Sequence, residues 1–409
     1  MPLTLSFGSQ RARRLAVGLI AAMFALAVPH AGMAATPAEW VQSFWPTAQA
    51  AGISRQVYDR ALANFAPDPD VIKRSQEQAE FNMPIWIYLD RMVSEERLSE
   101  GAAVLRQHGN LLARIEERYG VDRYILAAIW GMESHYGIIF TNPRLYKNTI
   151  RSLATLAYSG GRLAKHGRTQ LVSALKIVQR GDVGPEGMIG SWAGAMGLTQ
   201  FIPTTFEAYG VDFDGDGHRN IWTSPADALA SAANLLVKSG WQKGHAWGYE
   251  VVVPGSVDTG RSGARTLKDW SDRGVRRISG EGYPRPGDSA TLYLPNGRNG
   301  PAFLLLKNFS VIKRYNNSNS YALAVGHLAD RLRGGGAFVG QWPEHEKPLT
   351  EAERKRLQIL LAMAGFYDGD IDGNIGSGSR RAIADFQRQA GLTANGVESR
   401  DLIQRLEGR

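Results

Sequence analysis

The sequence predicts a mainly α (α+β) protein in two folded parts, and three observations carry that expectation. Apolar residues recur at helical spacing through most of the stretch from Trp40 to Arg331. After Trp247 the texture changes to short β-branched and aromatic runs at 251–253, 291–294 and 303–306 among Gly/Pro-rich turns, which marks a small β-containing subdomain. Past a Gly-rich stretch, residues 349–409 form a compact helical unit large enough to fold alone. The expected division is 1–35 as a signal peptide, 36–333 as the main domain, 334–348 as a linker and 349–409 as a small C-terminal domain.

The elements follow in order. From residue 36 to about 118 helices are expected around Trp40, Phe44 and Trp45, then at 57–63, 85–92 and 102–119, with Pro67, Pro69 and Pro84 between them. Gly120 breaks the last of these. Asp122 is suited to cap the next helix, which Gly137 can close. On that helix Ile125, Ile129, Met132 and Tyr136 form a stripe, and Glu133 lies along its edge. A carboxyl facing a core or cleft loses hydration, and its pKa rises toward the range of a general acid. The plain alternative is a solvated surface glutamate.

Further helices are expected at 150–158 and 163–180, with an irregular crossing at 181–190. The run Gly190-Ser-Trp-Ala-Gly-Ala-Met-Gly-Leu-Thr-Gln-Phe-Ile-Pro203 is dense in small residues, which let a backbone approach a ligand or a neighbouring helix closely. Gln200 is less easily explained there by packing. Thr204 and Glu207 have capping-box spacing for a short helix ending at Gly210. Ser224 and Pro225 open a helix to about residue 239. Residues 309–320 alternate, so Tyr315 and Asn316 are expected at a strand end, before a helix at 321–331. In the C-terminal unit Leu357, Leu360, Leu361 and Ala364 form one stripe, and Ile383, Phe386 and Ala390 another.

Composition narrows the setting. With 44% hydrophobic and 21% charged residues the chain is ordinary globular protein. Arg11, Arg13 and Arg14 precede an apolar run at 15–28 that ends in small residues, the pattern of a cleaved secretory signal. That run is shorter than the ~20 residues needed to span a bilayer, so no membrane anchor is expected after cleavage. The chain has no cysteine, which excludes disulfides, thiolate metal sites and a lipid-modified N-terminal cysteine. A soluble periplasmic protein, not a lipoprotein, is the expectation. Without the three leader arginines the net charge falls from +8 to +5. That scattered excess suits a mildly anionic polymer such as cell-wall glycan with its peptide carboxylates, and not nucleic acid.

Asp212-Phe-Asp-Gly-Asp-Gly-His-Arg-Asn220 reproduces the first half of an EF-hand loop, with acids at positions 1, 3 and 5 and Gly at 6. Position 12 is Thr223, so the closing carboxylate would come from Asp227, which also suits the first turn of the helix capped by Ser224. Asp212, Asp214, Asp216 and Asp227 are the expected calcium ligands, with His218 contributing its backbone carbonyl. Crowded acids repel one another without a cation, which favours calcium (Ca2+) over a bare turn. Asp368-Gly-Asp-Ile-Asp-Gly-Asn374 has the same spacing but no closing acid, and reads as an interhelical turn. No organic cofactor is expected.

Several segments together resemble the B-type family of lytic murein transglycosylases: Gly131-Met-Glu-Ser-His-Tyr-Gly137, Ser152-Leu-Ala-Thr-Leu-Ala157, the run 190–203, the loop 212–222 and Arg314-Tyr-Asn316. The C-terminal unit resembles the three-helix peptidoglycan-binding domain through Gly365-Phe-Tyr-Asp-Gly-Asp-Ile-Asp-Gly373 and Ala382-Ile-Ala-Asp-Phe-Gln387. The resemblance implies a lysozyme-like catalytic domain that acts on peptidoglycan glycan strands. It implies cleavage of the MurNAc-GlcNAc β-1,4 bond with 1,6-anhydromuramic ends, and Glu133 as the single catalytic acid. It also implies substrate-binding roles for Ser191, Gln200, Tyr315 and Asn316. Leu235 departs from relatives that carry Tyr near the site. Two rival readings stay open here: a muramidase that activates water with Asp182 or Glu186, and a non-catalytic wall-binding protein.

Overall fold

The computed structural model describes residues 36–76, 83–257, 263–298, 300–342, 349–392, 394 and 396–408; the expected signal peptide and residues 343–348 of the expected linker lie outside them. The main body opens with α1 (Pro37–Ala50), α2 (Arg55–Ala61), α3 (Pro69–Gln76), α4 (Ile85–Met92), α5 (Glu95–Tyr119) and α6 (Arg123–Ser134). A ribbon of β1 (Lys147–Asn148) and β2 (Ile189–Gly190) brackets α7 (Thr149–Ser159) and α8 (Ala164–Arg180). Then come α9 (Pro203–Tyr209) and α10 (Pro225–Lys238).

At the centre lies α6. Asp122 caps it by accepting the Tyr124 N–H at 2.8 Å. Every residue from Ile125 to Gly131 is buried, so the expected stripe is in fact an apolar surface all round. The neighbours α5, α10 and α13 supply the packing. The helix ends at His135 and Tyr136, both in the left-handed region, which folds the Tyr136 ring back over Gly131. A Cβ at position 131 would stand 2.6 Å from that ring, so the close return requires glycine.

The subdomain contains β3 (Gly248–Val252), β4 (Arg265–Thr266), α11 (Leu267–Asp272), β5 (Arg276–Arg277), β6 (Ser289–Tyr293), β7 (Pro295–Arg298) and β8 (Ala302–Leu305). Its antiparallel sheet has the order β4-β6-β8-β3-β5. Val251, Leu267, Trp270, Leu292 and Leu304 form a separate small core. The chain then returns to the helical body through α12 (Lys307–Ile312) and α13 (Asn319–Leu332).

Two local expectations are corrected here. Residues 309–320 do not end a strand: Phe309 and Ile312 share a helical face and are buried, so α12 replaces it and Tyr315 and Asn316 stand in the following turn. Thr204 does not form a capping box, because Ile202 is the cap residue of α9 and offers no side-chain acceptor. Gln170 of α8 does that work, accepting the Thr204 N–H at 3.0 Å and donating to its hydroxyl at 3.1 Å.

The C-terminal unit packs α14 (Glu351–Met363), α15 (Ser377–Gln389) and α16 (Arg400–Leu406) around Leu357, Leu361, Ile383 and Leu402. Ala364 and Ala390, expected on the buried stripes, are exposed because each is the C-cap beyond its helix's last turn. The described part of the expected linker is not free chain. Phe338 stacks on His327 with centroids 3.7 Å apart, and the Gly340 N–H donates to Glu250 at 2.7 Å.

Candidate active site and acidic loop

Glu133 sits in the last turn of α6, half-buried among tyrosines. Burial raises its carboxyl from 4.5 to about 7, while a hydrogen bond from the Tyr321 hydroxyl, 2.5 Å from Oε1, opposes the rise. The group is therefore close to half-protonated at neutral pH, poised both to give and to take a proton. Tyr321 comes from the first turn of α13 and stacks on Tyr315 at 6.4 Å between centroids. Burial first, and the Glu133 charge second, push both phenols well above 10 and that of Tyr88 to about 12. All three remain protonated donors beside the acid.

The segment 197–201 is tied to this centre by main-chain acceptors. Ser134 Oγ donates to the Leu198 carbonyl at 2.6 Å, and the Tyr315 hydroxyl donates to the Thr199 carbonyl at 2.5 Å. Gln200 follows in a left-handed conformation, its side-chain amide donating to the Gly197 carbonyl at 2.9 Å. Gln200, Leu235 and Tyr315 line one cavity. Leu235 is buried, so its contribution to the cavity wall is apolar.

The structure treats the other expected site residues differently. Ser191 Oγ is engaged in its own turn, accepting the Ala195 N–H at 3.0 Å. Asn316 is exposed in the turn after α12, its carbonyl accepting from the Ser318 N–H. Neither candidate second acid stands free: Asp182 is buried between Arg219 and Arg180, which hold its carboxyl below the usual range, and Glu186 pairs with Arg60 at 3.0 Å. Sequence reasoning missed Tyr321, Tyr88 and Ser134. Tyr321 left one signal, a phenol opening an otherwise apolar helix, since a buried Tyr hydroxyl seeks a partner.

The acidic loop converges as expected for its carboxylates. Asp212, Asp214, Asp216 and Asp227 each offer an oxygen, all within 4.8 Å of one another. Asp227 is buried in the first turn of α10 and accepts the Phe213 and Asn220 N–H groups, each at 2.7 Å. Its carboxyl is raised by burial, with the Asp214 charge adding to the rise. Four hard oxygen donors around one point fit a calcium ion. The His218 ring stands outside that group, and the His218 backbone N–H donates to Asp216 Oδ1 at 2.8 Å.

A helical body around a central buried helix that carries Glu133 in its last turn, followed along the chain by a three-helix unit, defines a lysozyme-like class of fold. More specifically, the chain belongs to the transglycosylase SLT domain family, whose profile matches residues 36–330. The peptidoglycan binding domain profile matches residues 350–406. Membrane-bound lytic murein transglycosylase B of Escherichia coli K12 is 31% identical over 249 residues, covering 60% of this chain and 67% of the relative. The crystal structure of SltB3 from Pseudomonas aeruginosa, in complex with NAG-NAM-pentapeptide, is 47% identical with a TM-score of 0.72, covering 91% of this chain and 99% of that one. The same protein matches equally in complex with NAG-anhNAM-pentapeptide. The Escherichia coli lytic transglycosylase Slt35 in complex with calcium is 27% identical with a TM-score of 0.59, covering 72% and 92% of the two chains.

Proposed function

We infer that this protein is a lytic murein transglycosylase in which Glu133 is the only acid–base group. The observation that carries the reading is the half-buried Glu133 carboxyl bonded by the Tyr321 hydroxyl and raised to about 7, while Asp182 and Glu186, the two acids expected as rivals, are held in ion pairs with arginines. In the first step Glu133 gives its proton to the glycosidic oxygen, and the bond from that oxygen to C1 of the muramic residue breaks. The Tyr321 hydroxyl, already on Oε1, stabilises the carboxylate that forms. That carboxylate then takes the proton of the muramic C6 hydroxyl, whose oxygen closes on C1. The products are a 1,6-anhydromuramic end and a free GlcNAc 4-hydroxyl; Glu133 is protonated again and no water is consumed. Intramolecular attack supplies the effective concentration that a hydrolase must obtain by activating water.

The complexes of SltB3 with NAG-NAM- and NAG-anhNAM-pentapeptide support this chemistry by similarity. Gln200 and Tyr315 are proposed to contact the glycan, with Ser191 and Asn316 contributing through the shape of their turns. The carboxylates of Asp212, Asp214, Asp216 and Asp227 are proposed to hold a structural calcium ion, as the Slt35 complex supports. The expected division into leader, main domain, linker and wall-binding module, and a periplasmic location, belong to the same proposal. Among the described residues no helix is long and apolar enough to cross a membrane. Mass spectrometry of digested sacculi tests the chemistry: wild type yields anhydromuramic ends and Glu133→Gln yields none. Reducing muramic ends in their place would convert the reading to a hydrolase.

A further inference from the structure

We propose that Glu398 of the C-terminal module is a positioning residue for the reaction: through Arg91 it holds α4, the helix that lays Tyr88 beside Glu133. Resting on the reading of Glu133 as the acid, this makes the module part of the frame of the active site as well as an anchor. The helix α4 has 8 residues and starts at Pro84 with no side-chain cap. So short a helix is marginal by itself, and its placement comes from what packs on it. Its buried Ile87 and Leu89 join the core of the main body, and it runs against α13, which carries Tyr321. Trp86 meets Trp342 with ring centroids 6.0 Å apart, and Arg91 pairs with Glu398. Arg91 stands at i, i+3 spacing from Tyr88, so the two share a face and a shift at Arg91 carries to Tyr88.

The contact reaches deep. The Glu398 side chain is 2% exposed, and Val397 before it packs on the core of the main body. A carboxylate so far from water is stable only beside a counter-charge, and removing one partner of such a pair leaves the other uncompensated. The neighbours sharpen that asymmetry. Burial, then the charges of Arg380 on α15 and Arg354 on α14, lower the Arg91 guanidinium to about 10. One arginine of the main body thus faces two of the module, and Glu398 is the acid that turns repulsion into attachment. Without its charge the module and α4 repel each other, and the cover that Tyr88 gives Glu133 loosens. The groups that face Glu133 are the phenols of Tyr321 on α13, Tyr315 in the turn after α12 and Tyr88 on α4. Burial is what raises the Glu133 carboxyl, so water admitted on the α4 side lowers it and the fraction protonated at neutral pH.

The test uses the full chain as wild type, Glu398→Gln, and the charge swap Arg91→Glu/Glu398→Arg, which keeps one acid among three arginines. On soluble murein fragments at saturating concentration, Glu398→Gln should lose about tenfold in kcat, and its alkaline limb should move about one unit lower. The swap should restore both to within about twofold of wild type. An anchor alone would change KM on sacculi and leave kcat and the alkaline limb in place, and that result overturns the proposal. If Glu398→Gln melts far below wild type, the swap decides: a swap that melts like wild type but stays slow overturns it too. Hydrogen exchange of the amides at 85–92 separates this idea from the reaction reading. Faster exchange in Glu398→Gln, reversed by the swap, supports the hold on α4 whatever the products of turnover prove to be. Unchanged exchange sinks it even if anhydro ends are found.

Discussion

Replacing Tyr321 with Phe isolates the hydroxyl that touches the acid. The Phe ring keeps the stacking on Tyr315, so packing changes little and what disappears is the 2.5 Å bond to Glu133 Oε1. That bond favours the charged carboxylate and holds the pKa at about 7 against the upward push of burial. A hydrogen bond to a charged group is worth about 1.5–3 kcal/mol and one pKa unit is about 1.4 kcal/mol, so the carboxyl should rise by about 1–2 units. Glu133 must begin the cycle protonated, so kcat/KM of the wild type should decline as pH rises through about 7. In Tyr321→Phe the decline should begin about 1–2 units higher. The plateau should also fall roughly tenfold, because the carboxylate formed in the first step loses its donor. The assay is a pH profile of soluble muropeptide release from sacculi. An alkaline limb that stays in place, or moves to lower pH, would refute the assignment of Glu133 as the titrating acid.

Three further outcomes follow from the same geometry. Because burial raises the folded-state pKa of Glu133 from 4.5 to about 7, folding carries no ionisation cost below 4.5 and the full cost above 7. Chemical denaturation of Glu133→Gln should therefore show greater stability than wild type at pH 8, by up to about 3 kcal/mol, with the gap closing toward pH 4.5. At a calcium concentration a hundred times Kd the gain in stability is about 2.7 kcal/mol, so chelation should lower the melting temperature by several degrees. Asp216→Asn, whose exposed carboxylate accepts only the nearby His218 N–H among the described residues, should shrink that calcium response while leaving the chelated protein close to wild type.

Much of this was legible in the chain because the signals are local. Asp122 announces α6, Ser224 and Pro225 announce α10, and the acid spacing at 212–216 announces the converging loop. The family resemblance supplied what local patterning could not, the proposal that Glu133 acts as the single acid. What stayed hidden depends on partners far along the chain. Tyr321 reaches Glu133 across 188 positions, and the cap of α9 comes from Gln170 on another helix. Alternation at 309–312 suits a strand or one helical turn equally, and only docking of Phe309 against Trp247 decides it. Likewise, whether Ser191 meets a ligand or its own turn is a matter of rotamer that sequence does not record.

The cleft segment is held through the carbonyls of Leu198 and Thr199, and this shapes how the site can vary. A carbonyl is the same in every residue, so the two positions that accept these bonds are insulated from their own side-chain identity, while the donors Ser134 and Tyr315 are not. Thr199 makes the point sharply, because its buried hydroxyl finds no partner among the described residues. In a saturation library screened for wall turnover, Thr199→Val should survive and melt no lower than the parent, whereas Ser134→Ala and Tyr315→Phe should be depleted. Diversity would then collect at the acceptor positions and be purged from the donors, a pattern opposite to one in which the whole stretch is equally constrained.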